Sequence, residues 1–276
     1  MNNRTLTEEE IEQITNKILE RDKINKNITL QKYYSLKRFL KSLEKDNFTF
    51  QEPSTWEDPF EDFISKLTNT HKDAIYNSFD ITEGIFAMST INKRNECDGM
   101  WSNFAQKNGV LVHIKIKKLL VSIIKFILDR GCCSDKNNFF HKLDIQNQIL
   151  HNIKVIKIDY ITDEEIAKVF RTITKTENMN FDKLSFRMLS IKRKEFEYEN
   201  EYRIFIRPKL LNLIKTRFLP VGYFKETLEK IVLSPRASIN RETRLKSIIR
   251  NKYGVSPSIE KSNLYNIEYF KSIYNL

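Results

Sequence analysis

A chain of 276 residues with 40% hydrophobic residues, 19 Phe and 11 Tyr among them, holds enough apolar material for one large core or two modest ones. Its 30% charged content therefore does not imply disorder. Lys and Arg number 47 against 36 Asp and Glu, and the resulting +11 favours polyanionic partners, although a coding sequence that inflates Lys, Asn and Ile together produces the same excess.

Residues 5 to 21 open with Thr5 and Thr7 as candidate caps and then space Ile11, Ile14, Ile18 and Leu19 for an amphipathic helix. The polar stretch Asp22 to Asn27 sets residues 1–27 apart as an N-terminal helical extension, leaving 28–276 as a single catalytic-like domain. A strand is predicted at Leu30 to Tyr34, a helix at Leu36 to Leu43 and a short strand at Phe48 to Phe50. The two prolines of Pro53 to Glu61 then exclude regular structure. An apolar strand follows at Gly84 to Thr90, a helix around Gly99 to Gln106, and a half-buried alternating strand from Val110 to Ile116, which Gly109 opens. Helices are expected at Leu119 to Asp129, Asn138 to His151, Asp163 to Thr174, near Asp182 to Leu189, and at Arg241 to Tyr253. Strands are expected at Val155 to Tyr160, Glu197 to Arg207 and Glu229 to Leu233. Without regular βαβ alternation or internal repeats, the pattern is α+β: a mixed, mostly antiparallel sheet core with surrounding helices.

Cys97, Cys132 and Cys133 lack any metal-binding spacing, and the adjacent pair suits a disulfide poorly, so a reducing, cytoplasmic setting is expected. The N-terminus has no apolar export signal, and the run Leu119 to Leu128, broken by Lys125, is far shorter than the roughly 20 residues that span a bilayer, so no membrane partner is expected. The 6 glycines form no phosphate loop, and the four histidines share no ligand spacing, which removes P-loop, dinucleotide-fingerprint and zinc chemistry.

Four blocks, Lys32-Tyr33-Tyr34, Trp56 to Glu61, Met100 to Ala105 and Tyr198 to Arg203, together resemble a large bacterial family called domain of unknown function 2971. Glu57 stands where that family has Asn, and Phe104 where it has Tyr. The order Lys32 to Tyr34, then Ser89-Thr90, then Glu199-Asn200-Glu201 also resembles ADP-ribosyltransferases of the Glu-x-Glu type. That second resemblance implies an ADP-ribosyltransferase-like fold, NAD as the bound dinucleotide, and a bacterial toxin or phage-defence effector. Its acceptor would be nucleic acid, RNA favoured over DNA, and an antitoxin protein is a possible partner.

On a strand, Glu199, Glu201 and Arg203 would share one face. Under the transferase resemblance Glu201 would stabilise an oxocarbenium-like transition state, and Glu199 would orient or deprotonate the acceptor. Ser89 and Thr90 would support the nicotinamide ribose and Lys32 the phosphates. Tyr33 or Tyr34 would stack on a ring, Trp101 would wall the pocket, and Arg203 would complete the binding set. Two other classes fit the same residues: a Mg²⁺-dependent nuclease using Asp58, Glu61, Glu199 and Glu201, and a non-catalytic nucleic-acid or protein-binding module in which the acidic pair is structural.

Overall fold

The protein is described from a computed structural model, which covers residues 6–56, 61, 84–93, 95–130, 142–174, 186–208 and 218–274. Helix α1 (Glu8–Arg21) starts at a capping box in which the Thr7 hydroxyl accepts from the Glu10 amide and the Glu10 carboxylate accepts from the Thr7 amide. Strand β1 (Thr29–Tyr34) leads through the Ser35 cap into α2 (Leu36–Lys45), then β2 (Phe48–Gln51) and β3 (Phe86–Ile91). A short helical turn at Asp98–Met100 widens into a π-type turn at Trp101–Ala105 before β4 (Val110–Lys115). Gly109 is required there, because a side chain would collide with the backbone carbonyls of Ala105 and Tyr34. Then follow α3 (Ile116–Arg130), α4 (Lys142–Asn152), β5 (Ile153–Lys157), β6 (Asp159–Ile161), α5 (Asp163–Thr174), β7 (Ile191–Arg193) and β8 (Glu201–Ile206). The chain ends with β9 (Phe218–Val221), β10 (Leu228–Leu233), α6 (Ile239–Ser247), β11 (Ser258–Lys261) and α7 (Ile267–Tyr274). Among the described residues no helix is long and apolar enough to cross a membrane.

The chain folds as two compact units interleaved in sequence. The first gathers 1–25, 49–90 and 127–220, and the second 26–48, 91–126 and 221–276. In the first unit the strand order runs β9-β2-β3-β8-β5, with β2–β3 and β5–β8 antiparallel, while β6 and β7 form a separate parallel pair. Its core joins Ile85, Ala87, Phe186, Leu189 and Phe205, with Trp56 and Ile156 packed against it. Helix α1 is built into this unit: Ile11, Ile14, Ile18 and Leu19 are buried, Arg21 donates to the Leu150 and Ile153 carbonyls, and Asp22 accepts from the Val155 amide at 2.7 Å. The second unit orders β11-β10-β4-β1, antiparallel apart from the parallel β10–β11 edge. Its cores are the Tyr33, Met100, Trp101, Leu111 and Val232 cluster and an aromatic group of Tyr34, Phe39, Phe48 and Phe224. The expected α+β architecture with a mostly antiparallel sheet is thus present.

Candidate active site

The acidic motif does not lie on one continuous strand. Residues Lys194–Glu199 form a 3-10 turn, Asn200 takes a left-handed conformation (φ 45, ψ 56), and β8 begins only at Glu201. Asn tolerates that conformation better than most side chains, and the Asn200 amide donates to the Glu197 carbonyl to close the turn. The expected strand over Glu197 to Arg207 is corrected accordingly. Glu199 reaches its place through a turn, and only Glu201 and Arg203 share a pleat.

The side chains nevertheless converge inside the first unit. Arg203, fully buried, forks onto Glu201 with Nε to Oε1 at 2.7 Å and Nη2 to Oε2 at 3.0 Å. Its Nη1 donates to the Leu189 carbonyl at 2.9 Å, its Nη2 lies 3.0 Å from Glu61, and its guanidinium stacks 4.4 Å from the Trp56 ring centre. Lys192 on β7 sits among all three carboxylates, at 2.8 Å from Glu61, 2.7 Å from Glu199 and 3.3 Å from Glu201. Glu201 and Glu199 are only 3% and 5% exposed. Tyr160 on β6 accepts from the Glu201 amide at 2.8 Å through its phenolic oxygen, and the Ser89 side chain hydrogen-bonds the Glu201 carboxylate. Thr90, buried beside exposed Ser89 on β3, donates to the Tyr202 carbonyl at 3.0 Å and ties β3 to β8.

Three carboxylates therefore face two cations, and the group carries one surplus negative charge when all are ionised. The surplus is unevenly placed. Burial would raise the Glu201 pKa, but the Arg203 guanidinium, Lys192 and Ser89 outweigh it and hold the carboxyl well below the usual range. Glu199 goes the other way: burial, reinforced by the Glu201 and Glu61 charges, lifts its carboxyl above the usual range despite the Lys192 ammonium. For Lys192 burial disfavours the ammonium, yet the three carboxylates prevail and keep it protonated. Burial, with the Glu201 and Glu199 charges, pushes the Tyr160 phenol up. The two neighbouring carboxyls are thus shifted in opposite directions, Glu201 down and Glu199 up, the kind of separation on which acid and base assignments rest.

Of the residues singled out by sequence, Glu199, Glu201, Arg203, Ser89 and Thr90 meet here. Lys32, Tyr33, Tyr34 and Trp101 belong to the second unit. There Tyr33 packs edge-on against fully buried Trp101 at 5.0 Å, and the Trp101 indole N–H donates to Glu96 at 2.9 Å. Tyr34 is enclosed by Phe39 and Phe224, with the Lys32 ammonium 5.7 Å from its ring centre. Asp58, which the nuclease alternative also uses, lies outside the described residues. Glu61 joins Glu199 and Glu201 as the nuclease alternative needs, but the Lys192 ammonium takes the central position among them, where a bridging cation would have to sit. Among the described residues no group of His, Cys, Asp and Glu is arranged to hold a metal ion.

Sequence reasoning did not find Lys192 or Tyr160. Each lies on a strand of three residues, too short for alternation to register. The one available signal was excess: two glutamates beside one arginine in an otherwise apolar strand need a second cation if buried.

Residues 100–204 match a family described as protein of unknown function (DUF2971). The match contains the Met100–Ala105 block and reaches into β8 through Glu199, Glu201 and Arg203, whereas the Lys32–Tyr34 and Trp56–Glu61 blocks fall outside it. No curated protein and no solved structure matches the chain. Over that segment, the half of the site carried by Tyr160, Lys192, Glu199, Glu201 and Arg203, the chain is similar to this family.

Proposed function

We propose that the protein is an NAD-dependent ADP-ribosyltransferase of a bacterial toxin or phage-defence type, acting in the cytoplasm with nucleic acid as acceptor. One observation carries this reading: Glu201 and Glu199 are neighbours whose surroundings drive their pKa values apart, with Ser89 bound to the first. Breaking the bond between nicotinamide and the ribose C1′ sends the electron pair out with nicotinamide and leaves positive charge on the sugar. An ionised Glu201, fixed by Arg203, opposes that charge without reorganising. The acceptor's oxygen or nitrogen then bonds to C1′, and its proton passes to Glu199, which burial makes a stronger base than an ordinary glutamate. Exposed Ser89, beside Glu201, gives the ribose hydroxyls a partner at the solvent side. The +11 charge supports a polyanionic acceptor, RNA before DNA.

Incubation with NAD labelled in the adenylate half, together with total RNA, DNA or cell lysate, tests this reading. Label should enter nucleic acid with wild-type protein, E201Q should abolish it, and E199Q should reduce transfer more than hydrolysis of NAD. Equal loss of both reactions in E199Q would remove the separate roles, and label in protein alone would remove nucleic acid as acceptor.

A further inference from the structure

Resting on the nucleic-acid acceptor proposed above, we infer that a basic ridge of the second unit, Arg241 to Lys252 with the loop that follows it, grips the phosphodiester backbone of that acceptor. The surplus charge is not shared between the two units. The second unit carries 23 Lys and Arg against 9 Asp and Glu, a balance of +14, whereas the first carries 24 against 27, a balance of −3. The unit that holds the acidic cluster therefore contributes nothing to the excess, and a polyanion is drawn to the other one.

Within the second unit the charge is concentrated and exposed. Helix α6 runs on into a π-type turn at Ile248–Lys252, and buried Leu245 and Ile249 anchor this stretch to the core. Its outer side presents Arg241, Arg244, Arg250 and Lys252 to solvent. Glu242, the one carboxylate in the stretch, is taken by Lys246 at 2.8 Å. Arg241 donates to the neutral Asn108 side chain, and the Lys252 ammonium lies 5.2 Å from the Tyr253 ring centre. Among the described residues no carboxylate pairs with any of the four exposed cations. The chain then turns so as to leave a hollow beside them. Gly254 takes a left-handed conformation (φ 62), its amide donates to the Arg250 carbonyl at 3.0 Å, and a side chain there would meet nothing within 4 Å. Arg250, Gly254, Val255, Ser256 and Pro257 line a cleft of about 380 Å³. A phosphate fits this chemistry: its oxygens accept from the guanidinium fork of Arg250 and from the exposed Ser256 hydroxyl, and Gly254 leaves room for the backbone of the strand to come close.

The test is equilibrium binding of the full chain to fluorescein-labelled single-stranded RNA, to DNA of the same sequence and to phosphatidylserine vesicles, across a salt series without NAD. The variants are R244Q/R250Q, S256E, which sets a carboxylate at the cleft, and K17Q as a control at an exposed lysine of the first unit. R244Q/R250Q should lower the salt slope by about 1.4 on both strands, at about 0.7 for each phosphate no longer neutralised, and K17Q should leave it as in wild type. S256E should weaken strand binding at low salt. Because Arg244, Arg250 and Ser256 are exposed, these variants should melt as wild type does. An unchanged slope in R244Q/R250Q, wild-type binding by S256E, or an equal fall in K17Q overturns the ridge. So does a raised KM for NAD with strand binding intact, which assigns the cleft to the dinucleotide, or a loss confined to the vesicles, which assigns the ridge to a membrane surface. E201Q should bind the strands as wild type does. A wild type that binds them through Arg244 and Arg250 yet releases no nicotinamide from NAD keeps the ridge and defeats the transferase reading, whereas release of nicotinamide with an unchanged slope in R244Q/R250Q does the reverse.

Discussion

Replacing Glu201 with Gln removes the partner that gives Arg203 two of its hydrogen bonds, in a place where water does not reach either group. A Gln side chain accepts with one terminal atom only, and its amide nitrogen would face a guanidinium N–H where a carboxylate oxygen now accepts. Removing one member of a buried pair costs about 3 to 5 kcal/mol. Glu61, 3.0 Å from Arg203, and Glu199, 2.7 Å from Lys192, remain to balance the two cations, which places E201Q near the lower end. About 3 kcal/mol corresponds to a Tm lowered by roughly 6 to 12 °C in a domain of this size. R203M should cost more, about 5 kcal/mol, because it leaves three buried carboxylates to Lys192 alone. The double variant should fall short of the sum of its parts, since each change removes the other's unpaired charge. Thermal unfolding followed by far-ultraviolet circular dichroism measures all three. An E201Q protein melting within about 2 °C of wild type would show that the cluster does not hold the unit together as its geometry implies.

E199Q should behave oppositely to E201Q. Because the Glu199 pKa is raised on folding, its contribution to stability is greatest below the ordinary carboxyl pKa and is lost as pH rises through the raised value; Gln mimics the protonated form. At neutral pH E199Q should therefore melt at or above the wild-type temperature, and a lower Tm would contradict the assignment. Glu201, with its pKa lowered, contributes stability that is present above the ordinary carboxyl value and lost as pH falls through the folded one, so E201Q should flatten the acid limb of a Tm-against-pH curve. A limb as steep as that of wild type would mean that other carboxylates set it. Burial, then Lys230, pushes His113 down to about 4 against the pull of Glu260. Folding keeps that imidazole neutral, so stability should fall as pH drops below its ordinary value toward 4, and H113L should remove that slope. An unchanged slope would place the proton elsewhere.

The long amphipathic elements were legible in the sequence because burial wrote itself into their spacing. Ile11, Ile14 and Ile18 mark α1, and the Thr7 and Glu10 capping pair marks its start. Val110, Val112 and Ile114 mark β4, although as an inner strand of the second unit, between β1 and β10, it also buries Leu111 of the alternate set. The break at Asn200 was not legible. Tyr198 to Ile204 alternates convincingly, and only the left-handed backbone at one residue separates turn from strand. The candidate site was half legible. Glu201 with Arg203 follows from a period of two, whereas Lys192, Tyr160 and Glu61 arrive from a three-residue strand, another three-residue strand and a turn, so their meeting depends on tertiary packing alone. Trp56 lies in the proline-bounded stretch that excludes regular structure, and its stacking on Arg203 is not readable from a stretch with no periodicity.

The most direct measurement is the release of nicotinamide from NAD by the purified chain, at a temperature where wild type, E199Q and E201Q are all folded by circular dichroism. Wild type should release nicotinamide, faster when RNA is supplied, E199Q should keep part of the release that occurs without acceptor, and E201Q should release none. Release by E201Q at the wild-type rate, or no release by wild type with any acceptor, would contradict the assignment of Glu201 as the group that stabilises the breaking bond.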